Sequence, residues 1–202
     1  MSEHEEPHAP SKAGAGRDAR ELYAHRFSEN DQRRREAVWA VLCRDFFQRY
    51  VPVGGSVIDI GAGDGLFLRY IEARRRIAVD ASDRIAKLER WGIEVRIAPA
   101  HQFADGLEGV ADVAFLSNLL EHLARKSLVV DVLRECRRAL RPGGRLLILQ
   151  PNIRYVGAAY WDYLDHQIAL TERSVAEALW VAGFEIVEER ARFLPYTAAS
   201  FR

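Results

Sequence analysis

Glycines and acidic residues alternate closely in one short stretch, residues 59–65, which reads Asp-Ile-Gly-Ala-Gly-Asp-Gly. The stretch follows a β-branched run that starts at Ser56, and it precedes an apolar run that begins at Leu66. Glycine adopts positive φ angles at no steric cost and lets the backbone come close to a ligand. A strand, a glycine-rich turn and a helix in this order predict a nucleotide-type binding loop.

The charges in this loop discriminate between ligands. A dinucleotide fingerprint has the spacing Gly-x-Gly-x-x-Gly, whereas here the third glycine comes one residue early and Leu66 follows it. A pyrophosphate prefers amide donors without an anion beside them. Asp59 and Asp64 would repel a pyrophosphate, and they suit a ligand that carries a cationic amine and a sulfonium. Asp80 ends the next predicted strand, where an acid can accept hydrogen bonds from both ribose hydroxyls.

Predicted strands and helices alternate along the chain. Strands are expected at residues 56–60, 76–80, 93–97, 111–116, 145–149 and 184–192. The alternation predicts an α/β fold: a Rossmann-like, doubly wound, mostly parallel sheet with helices on both faces. Ligands bind such sheets beyond the carboxyl ends of the strands, at the topological switch point. We therefore expect the site on the residues that directly follow the first four strands.

Four segments resemble the motifs of the class I S-adenosylmethionine (SAM) dependent methyltransferases, and by this resemblance the chain is identified as a member of that family. The segments occur in the family's order and are residues 57–65, 77–80, 112–123 and 140–146. The C-terminal stretch from Ile153 to Tyr196 resembles a bacterial subgroup of small methyltransferases. Members of that subgroup tend to act on small molecules, including sugars, lipids and secondary metabolites.

The resemblance implies SAM as the cofactor and S-adenosylhomocysteine as the product. It implies that Asp59 and the glycine backbone hold the methionine part, that Asp80 holds the ribose, and that Asn118 and Leu119 lie below the sulfonium. The stretch after the third strand would lie at the adenine. The expected cofactor contacts are Asp59, Gly61, Ala62, Gly63, Gly65, Asp80, Ala81, Ala100, His101, Asn118 and Leu119.

The stretch after the third predicted strand departs from the family pattern. Family members often carry an acid there that accepts the adenine amino group, whereas residues 98–102 read Ala-Pro-Ala-His-Gln. The Ala100 or His101 amide, or the Gln102 side chain, is expected to make that contact instead.

The acceptor is expected beside residues 151–170, which show no clean helical or strand periodicity and combine aromatic with ionisable side chains. His166 in this segment and His122 just after the fourth strand are the candidate catalytic bases. Either histidine could instead cap or pack. No metal site is predicted, because no ligand spacing relates the six histidines, His4, His8, His25, His101, His122 and His166.

A single domain is expected at residues 20–202, after a flexible tail at residues 1–19. Residues 20–50, with Tyr23, Arg26, Phe27 and Trp39, resemble the helical lid that closes over SAM in this family. Covering the sheet is the alternative role for any one of these residues. No apolar run approaches the roughly 18 residues of a membrane span. The two cysteines form no disulfide framework, which favours the cytoplasm.

The C-terminal end of the sheet is the second departure from the family pattern. The family fold usually ends with a seventh, antiparallel strand between the fifth and the sixth, but this sequence stops at Arg202, soon after the sixth predicted strand. A missing or very short seventh strand would expose strand edges that are liable to pair with another chain. A shortened chain, a homodimer that completes the sheet, and reduced activity are the three explanations.

The leading functional interpretation is methyl transfer from SAM to an oxygen or nitrogen atom of a small molecule. A SAM-binding sensor or partner subunit without methyl transfer is the second, and a protein or RNA methyltransferase is the third. The 29 basic and 29 acidic residues give no net charge, which argues against a nucleic-acid substrate. Residues 117–120 also lack the Asn-Pro-Pro-Tyr pattern of amide or exocyclic-amine methylation, which argues against nucleobase amine chemistry. A dinucleotide oxidoreductase is disfavoured by the acidic loop.

Overall fold

The computed structural model describes residues 29–194. At its centre is a five-stranded sheet in the order β3-β2-β1-β4-β5, with every described pair of strands parallel. The order reverses between β1 and β4, which makes their carboxyl ends the switch point where ligands bind such sheets. The strands are β1 (Ser56–Ile60), β2 (Arg75–Asp80), β3 (Glu94–Ile97), β4 (Ala111–Ser117) and β5 (Leu140–Leu149).

Helices follow most of the strands and cover the sheet. The α-helices are α1 (Glu29–Asp45), α2 (Leu66–Tyr70), α3 (Lys126–Ala139), α4 (Ile153–Val156) and α5 (Glu172–Val181). Short 3-10 segments occupy Phe47–Tyr50, Asp83–Trp91, Leu120–His122 and Gly157–Asp162. The α/β fold predicted from the alternation of elements is confirmed.

Alternate residues of the central strands enter two apolar clusters, one on each face of the sheet. Phe115 of β4 belongs to the cluster that α1 and α2 cover, and its neighbour Leu116 belongs to the cluster that α3 covers. Phe67 of α2 stacks on Phe115 with 3.9 Å between ring centroids, and Trp39 of α1 contacts both rings edge-on. Side chains alternate between the faces of a strand, so the buried strands β1 and β4 require helices on both faces.

The last described helix, α5, has residues at both ends that favour its start and its stop. The Thr171 hydroxyl accepts a hydrogen bond from the Ser174 amide at 3.2 Å, and the Ser174 hydroxyl accepts one from the Thr171 amide at 2.8 Å. This reciprocal pair satisfies two donors that the first helical turn would otherwise expose. Gly183, with a φ of 83°, follows the helix and lets the chain reverse.

The predicted sixth strand at residues 184–192 was wrong. Residues 184–194 form irregular backbone, and a groove of about 730 Å³ lies between them and β5. Side chains anchor this segment: the Glu188 carboxylate accepts a hydrogen bond from the Tyr50 hydroxyl at 2.6 Å and pairs with Arg49 at 3.2 Å. A strand requires a hydrogen-bonded neighbour about 4.7–4.9 Å away, and among the described residues β5 pairs with β4 and not with residues 184–192.

The N-terminal expectations fall partly outside residues 29–194. The tail at residues 1–19 lies outside, as do three of the expected lid residues, Tyr23, Arg26 and Phe27. The described part of the expected lid buries Cys43 and Phe47 in the apolar cluster beneath α1, so this part covers the sheet. No helix in the described range combines the length and hydrophobicity that crossing a bilayer requires.

Candidate functional site

The glycine loop joins β1 to α2 at the carboxyl edge of the sheet. Gly61, Gly63 and Gly65 have φ angles of 76°, 51° and 67°, values that glycine adopts readily. The amides of Gly61 and Ala62 both donate to the carbonyl of Val79 in β2, at 2.8 and 3.0 Å. The loop is therefore folded against the end of the neighbouring strand.

Close packing also requires two of these glycines. A Cβ atom on Gly61 would lie 2.9 Å from Leu119, and one on Gly65 would lie 2.7 Å from Leu88. Leu119 follows β4, so its contact with Gly61 brings together the loops after β1 and β4. The Gly65 amide donates to the Ala62 carbonyl at 2.7 Å, which means that this amide is already engaged within the loop.

Asp80 ends β2 and lies directly against the glycine loop. Its Oδ2 accepts a hydrogen bond from the Gly63 amide at 3.0 Å, and its Oδ1 accepts one from the Ser82 amide at 2.8 Å. A carboxylate oxygen can accept more than one hydrogen bond. Asp80 can therefore hold the loop in place and still accept hydrogen bonds from a pair of hydroxyl groups. Ala81, which follows it, is exposed.

Asp59 lies within β1 and is only 4% exposed. Burial, and next the nearby charge of Asp80, raise the pKa of the Asp59 carboxyl to about 8. A buried acid of this kind becomes charged at neutral pH when a cation is placed beside it. The ammonium group of a bound ligand would be such a cation.

Asp64 has a different environment from Asp59. Its Oδ1 accepts a hydrogen bond from Lys87 at 2.9 Å, and its Oδ2 lies 3.7 Å from the Arg35 guanidinium. Two cations offset this charge, so Asp64 repels an anionic ligand less than its place in the sequence suggests. The electrostatic case for a cationic ligand consequently depends on Asp59 and Asp80.

The stretch after β3 begins beside Asp80, because the Ala98 amide donates to the Asp80 carbonyl at 2.9 Å. Ala100 and His101, the residues expected at the adenine, are half-buried, and Gln102 is exposed. The Ala98 hydrogen bond places the start of the stretch beside the carboxyl end of β2.

Asn118 directly follows β4 and has a φ of 47°, the one positive value at a non-glycine residue between residues 29 and 194. Its amide donates to the Leu149 carbonyl at 2.9 Å, and its side chain donates to the Ser117 hydroxyl at 2.9 Å. Left-handed backbone costs most residues about 1–2 kcal/mol, and asparagine tolerates it well. Backbone strain of this kind clusters at functional sites, and here it exposes Asn118 at the carboxyl edge.

Three ionisable side chains meet where the turn after β4 contacts the expected acceptor segment. Glu121, His122 and His166 form what we call the Glu-His-His cluster, and their ligating atoms lie within 4.8 Å of one another. The amides of Gln167 and Ile168 donate to the Glu121 carbonyl at 2.8 and 3.1 Å. These backbone hydrogen bonds fasten the acceptor segment to the turn and hold the cluster together.

One hydrogen bond indicates the tautomer of a neutral His122 ring: its Nδ1 lies 3.0 Å from the carbonyl oxygen of Asp165. A carbonyl oxygen can only accept, so Nδ1 carries a hydrogen and Nε2 of the neutral ring has a bare lone pair. Nε2 lies 3.8 Å from Glu121 Oε1, which is too far for a direct hydrogen bond. The His122 side chain is 31% exposed, so a ligand can reach it.

Glu121 is 1% exposed, and burial raises the pKa of its carboxyl above the usual range. Its Oε2 accepts a hydrogen bond from Gln150 Nε2 at 2.8 Å. Gln150 Oε1 is buried, and none of the described residues donates to it. The third member, His166, is 9% exposed and packs against the Tyr160 ring at 4.9 Å between centroids.

Sequence reasoning named both histidines separately and did not predict that they meet Glu121. His122 and Asp165, which are hydrogen-bonded, are 43 residues apart, and no spacing rule relates residues at such a separation. The signal that was present is the aromatic and ionisable composition of residues 151–170, the segment that contributes His166 to the cluster.

The fold and the acidic glycine loop at its switch point define an α/β domain of the methyltransferase class. A family model described as "Methyltransferase domain" matches residues 31–189. The chain therefore belongs to this family and is a SAM-dependent methyltransferase domain.

Known proteins similar to this chain differ in their named acceptors. The chain is 32% identical over 116 residues to the ribosomal protein L11 methyltransferase of Symbiobacterium thermophilum. The matching region covers 52% of this chain and 35% of that protein. It is 28% identical over 131 residues to the ubiquinone biosynthesis O-methyltransferase of Xanthomonas axonopodis, covering 55% and 52%. The chain thus spans only 35% and 52% of the length of these two relatives.

A solved structure shows the same fold. The SAM-dependent methyltransferase of Archaeoglobus fulgidus superposes with a TM-score of 0.66 at 24% identity, over 83% of this chain and 75% of that one.

Proposed function

We propose that the protein transfers the methyl group of SAM to an oxygen or nitrogen atom of a small-molecule acceptor. The observation that carries this proposal is that two groups of residues, a cofactor half and an acceptor half, lie at the same edge of the sheet. The cofactor half is the glycine loop with Asp59 and Asp80, and the acceptor half is the Glu-His-His cluster. The contact between Leu119 and Gly61 joins the two halves.

On the cofactor side, Asp59 pairs with the ammonium group of SAM, and the two oxygens of Asp80 accept hydrogen bonds from the ribose hydroxyls. The burial of Asp59 supports the first role, because a buried carboxylate gains most from a cationic partner. The backbone of the glycine loop lies along the methionine part. Ala100 and His101 lie at the adenine, and Asn118 and Leu119 lie beside the sulfonium.

On the acceptor side, His122 Nε2 takes the proton of the acceptor group, and His166 helps to shape the pocket. The acceptor's lone pair forms a bond to the methyl carbon while the carbon–sulfur electron pair moves to sulfur, which gives neutral S-adenosylhomocysteine. Alignment of the reacting groups can contribute about 7–11 kcal/mol, and a general base typically adds about 10²- to 10⁴-fold.

Two features support a small acceptor over a macromolecular one. The net charge of zero gives no general attraction to nucleic acid. Two members of the cluster, Glu121 and His166, are buried, and His122 is the most exposed of the three. A compact acceptor group fits a site with such limited access.

Calorimetric titration of the purified protein with SAM, S-adenosylhomocysteine and NAD tests the proposal first. We expect micromolar binding of the first two and no binding of NAD. Asp80→Ala should weaken SAM binding at least tenfold, because both ribose hydroxyls lose an acceptor. Asp131→Ala, which removes a half-exposed carboxylate on α3, is the matched control and should bind SAM normally. Unchanged SAM affinity in Asp80→Ala would contradict the assigned site.

Screening with isotopically labelled SAM then separates the remaining functions. Labelled products from a pool of small hydroxyl and amine compounds are the expected result. SAM binding without transfer to any pool would favour a sensor or partner subunit, and labelling of protein or RNA alone would overturn the small-molecule assignment.

A further inference from the structure

The Glu-His-His cluster combines features that methyl transfer by an unaided histidine does not require. We propose that Glu121 Oε1, His122 Nε2 and a ring nitrogen of His166 bind a divalent transition-metal ion, and that this ion activates a hydroxyl group of the acceptor. Metal binding stands on the geometry of the cluster alone, whereas the activation of the acceptor rests on the proposed methyl transfer.

The ligand set fits such an ion in type and in spacing. Two imidazoles and one carboxylate are common ligands of Zn²⁺, Mn²⁺, Fe²⁺ and Co²⁺. Two atoms that each lie about 2.0–2.2 Å from one ion are at most about 4.4 Å apart. Glu121 Oε1 and His122 Nε2 are already 3.8 Å apart, and the whole set lies within 4.8 Å, so small side-chain rotations close it around an ion.

Hydrogen bonds already orient two of the three ligands. His122 donates its Nδ1 hydrogen to the Asp165 carbonyl, which is the arrangement that metal-bound histidines usually show at their second nitrogen. Gln150 holds Glu121 Oε2, so Oε1 is the atom directed at the cluster. Both contacts fix the ligand atoms before a metal arrives.

The charges around Glu121 also favour a cation. Burying a carboxylate is costly unless it is paired, and within the described residues the ion pair found for Glu121 is the 3.8 Å approach of His122. An ion between these atoms would neutralise Glu121. A water molecule bound to that ion could donate to the buried Gln150 Oε1, which has no donor among the described residues.

Such an ion would define the acceptor class as hydroxylated small molecules. Three protein ligands leave at least one coordination position open, and the exposed side of His122 gives access to it. Metal binding lowers the pKa of water to about 7, and it acidifies a bound alcohol or phenol in the same way. The hydroxyl proton goes to solvent, the oxygen forms the bond to the methyl carbon, and the carbon–sulfur electron pair moves to sulfur. His122 Nε2 then serves as a ligand instead of a base.

The test is a titration of the chelator-treated full chain with Co²⁺ and Zn²⁺, followed by visible absorption and calorimetry. We expect one ion per chain and an absorption band from bound Co²⁺. Glu121→Gln and His166→Asn should each lower metal affinity at least tenfold. Glu177→Gln makes the same chemical change at an exposed position of α5 and should bind metal like the wild type. Absence of metal binding to the wild type, or wild-type metal affinity in both cluster variants, would overturn the proposal.

A parallel SAM titration keeps the two proposals distinguishable and reports folding. The cluster variants should retain SAM affinity, which shows that lost metal binding is not caused by unfolding. Methyl transfer that persists unchanged in excess chelator would overturn metal activation and preserve the proposed methyl transfer. Metal binding by a chain that binds no SAM would support the metal site and overturn the proposed methyl transfer.

Discussion

Asp59 and Asp80 belong to neighbouring strands, but their surroundings give them different properties. Asp80 is partly exposed and accepts hydrogen bonds from two backbone amides. Asp59 is buried, and burial raises the pKa of its carboxyl to about 8. At the residue scale, the cofactor edge thus contains one partly exposed acid held by backbone amides and one buried acid that gains its charge when a cation binds.

This difference predicts a pH-dependent effect of Asp59→Asn. The pKa of Asp59 is about 8 in the folded protein and about 3.9 in the unfolded chain, so the folded state binds more protons between these values. The contribution of Asp59 to stability is therefore fully present below about pH 4 and is lost as the pH rises to about 8. Calorimetric unfolding should show Asp59→Asn gaining thermal stability over the wild type between pH 5 and pH 8.5.

Ligand binding gives an independent check on the same residue. SAM should bind wild type with release of a proton near neutral pH, seen as a binding heat that depends on the buffer, and Asp59→Asn should bind SAM more weakly without this proton release. A stability difference that is constant from pH 5 to pH 8.5 would contradict the buried, protonated state of Asp59.

At the scale of elements, the glycine loop packs tightly against a neighbouring helical segment in addition to its proposed role in binding. Gly65 starts α2 in a left-handed conformation with φ of 67°, and Leu88 of the Asp83–Trp91 segment fills the space where its Cβ would lie. The loop therefore fixes the positions of two helical segments relative to β1. A ligand bound along the loop contacts a backbone whose shape this packing determines.

Substitution of Gly65 by alanine should consequently cost more than backbone strain alone. Gly109 has a similar φ of 64°, but no atom lies within 4 Å of the position of its Cβ, so Gly109→Ala isolates the strain of about 1–2 kcal/mol. We expect Gly65→Ala to lose about 1–3 kcal/mol more, as overpacking in a core does, and to weaken SAM binding. Denaturant unfolding of both variants measures the difference, and equal losses would contradict the role of Leu88.

For the molecule as a whole, α1 closes the apolar cluster on one face of the sheet. Trp39 contacts the rings of Phe47, Phe67 and Phe115, which links α1 to α2 and β4. In residues 29–50 the expected lid therefore contributes aromatic contacts to this cluster. Opening this part as a lid would expose the aromatic cluster to water.

Trp39→Ala tests whether the described part of α1 acts as core or as lid. Loss of these contacts should destabilise the protein by about 2–4 kcal/mol, because large aromatic truncations in cores cost this much. Trp180→Ala makes the same change at a side chain that is 79% exposed and should stay within about 0.5 kcal/mol of the wild type. Weakened SAM binding in Trp39→Ala without loss of stability would contradict the core assignment and support a lid.

Local patterns in the sequence predicted the strands of the parallel sheet and the glycine loop. The apolar runs at β1 and β4 and the glycines at positions 61, 63 and 65 are signals that short stretches of sequence carry by themselves. Thr171 and Gly183 mark the ends of α5 for the same reason. The placement of Asp80 on the strand next to the loop followed from the regular βαβ connection.

Tertiary structure alone decided three other features. Residues 184–192 form no strand, and a groove lies between them and β5. Asp64 loses much of its repulsion because Lys87 and Arg35 reach it from other elements. The Glu-His-His cluster exists because backbone hydrogen bonds bring a distant segment to the turn after β4. Each depends on distances between residues far apart in the chain, which side-chain type and spacing do not encode.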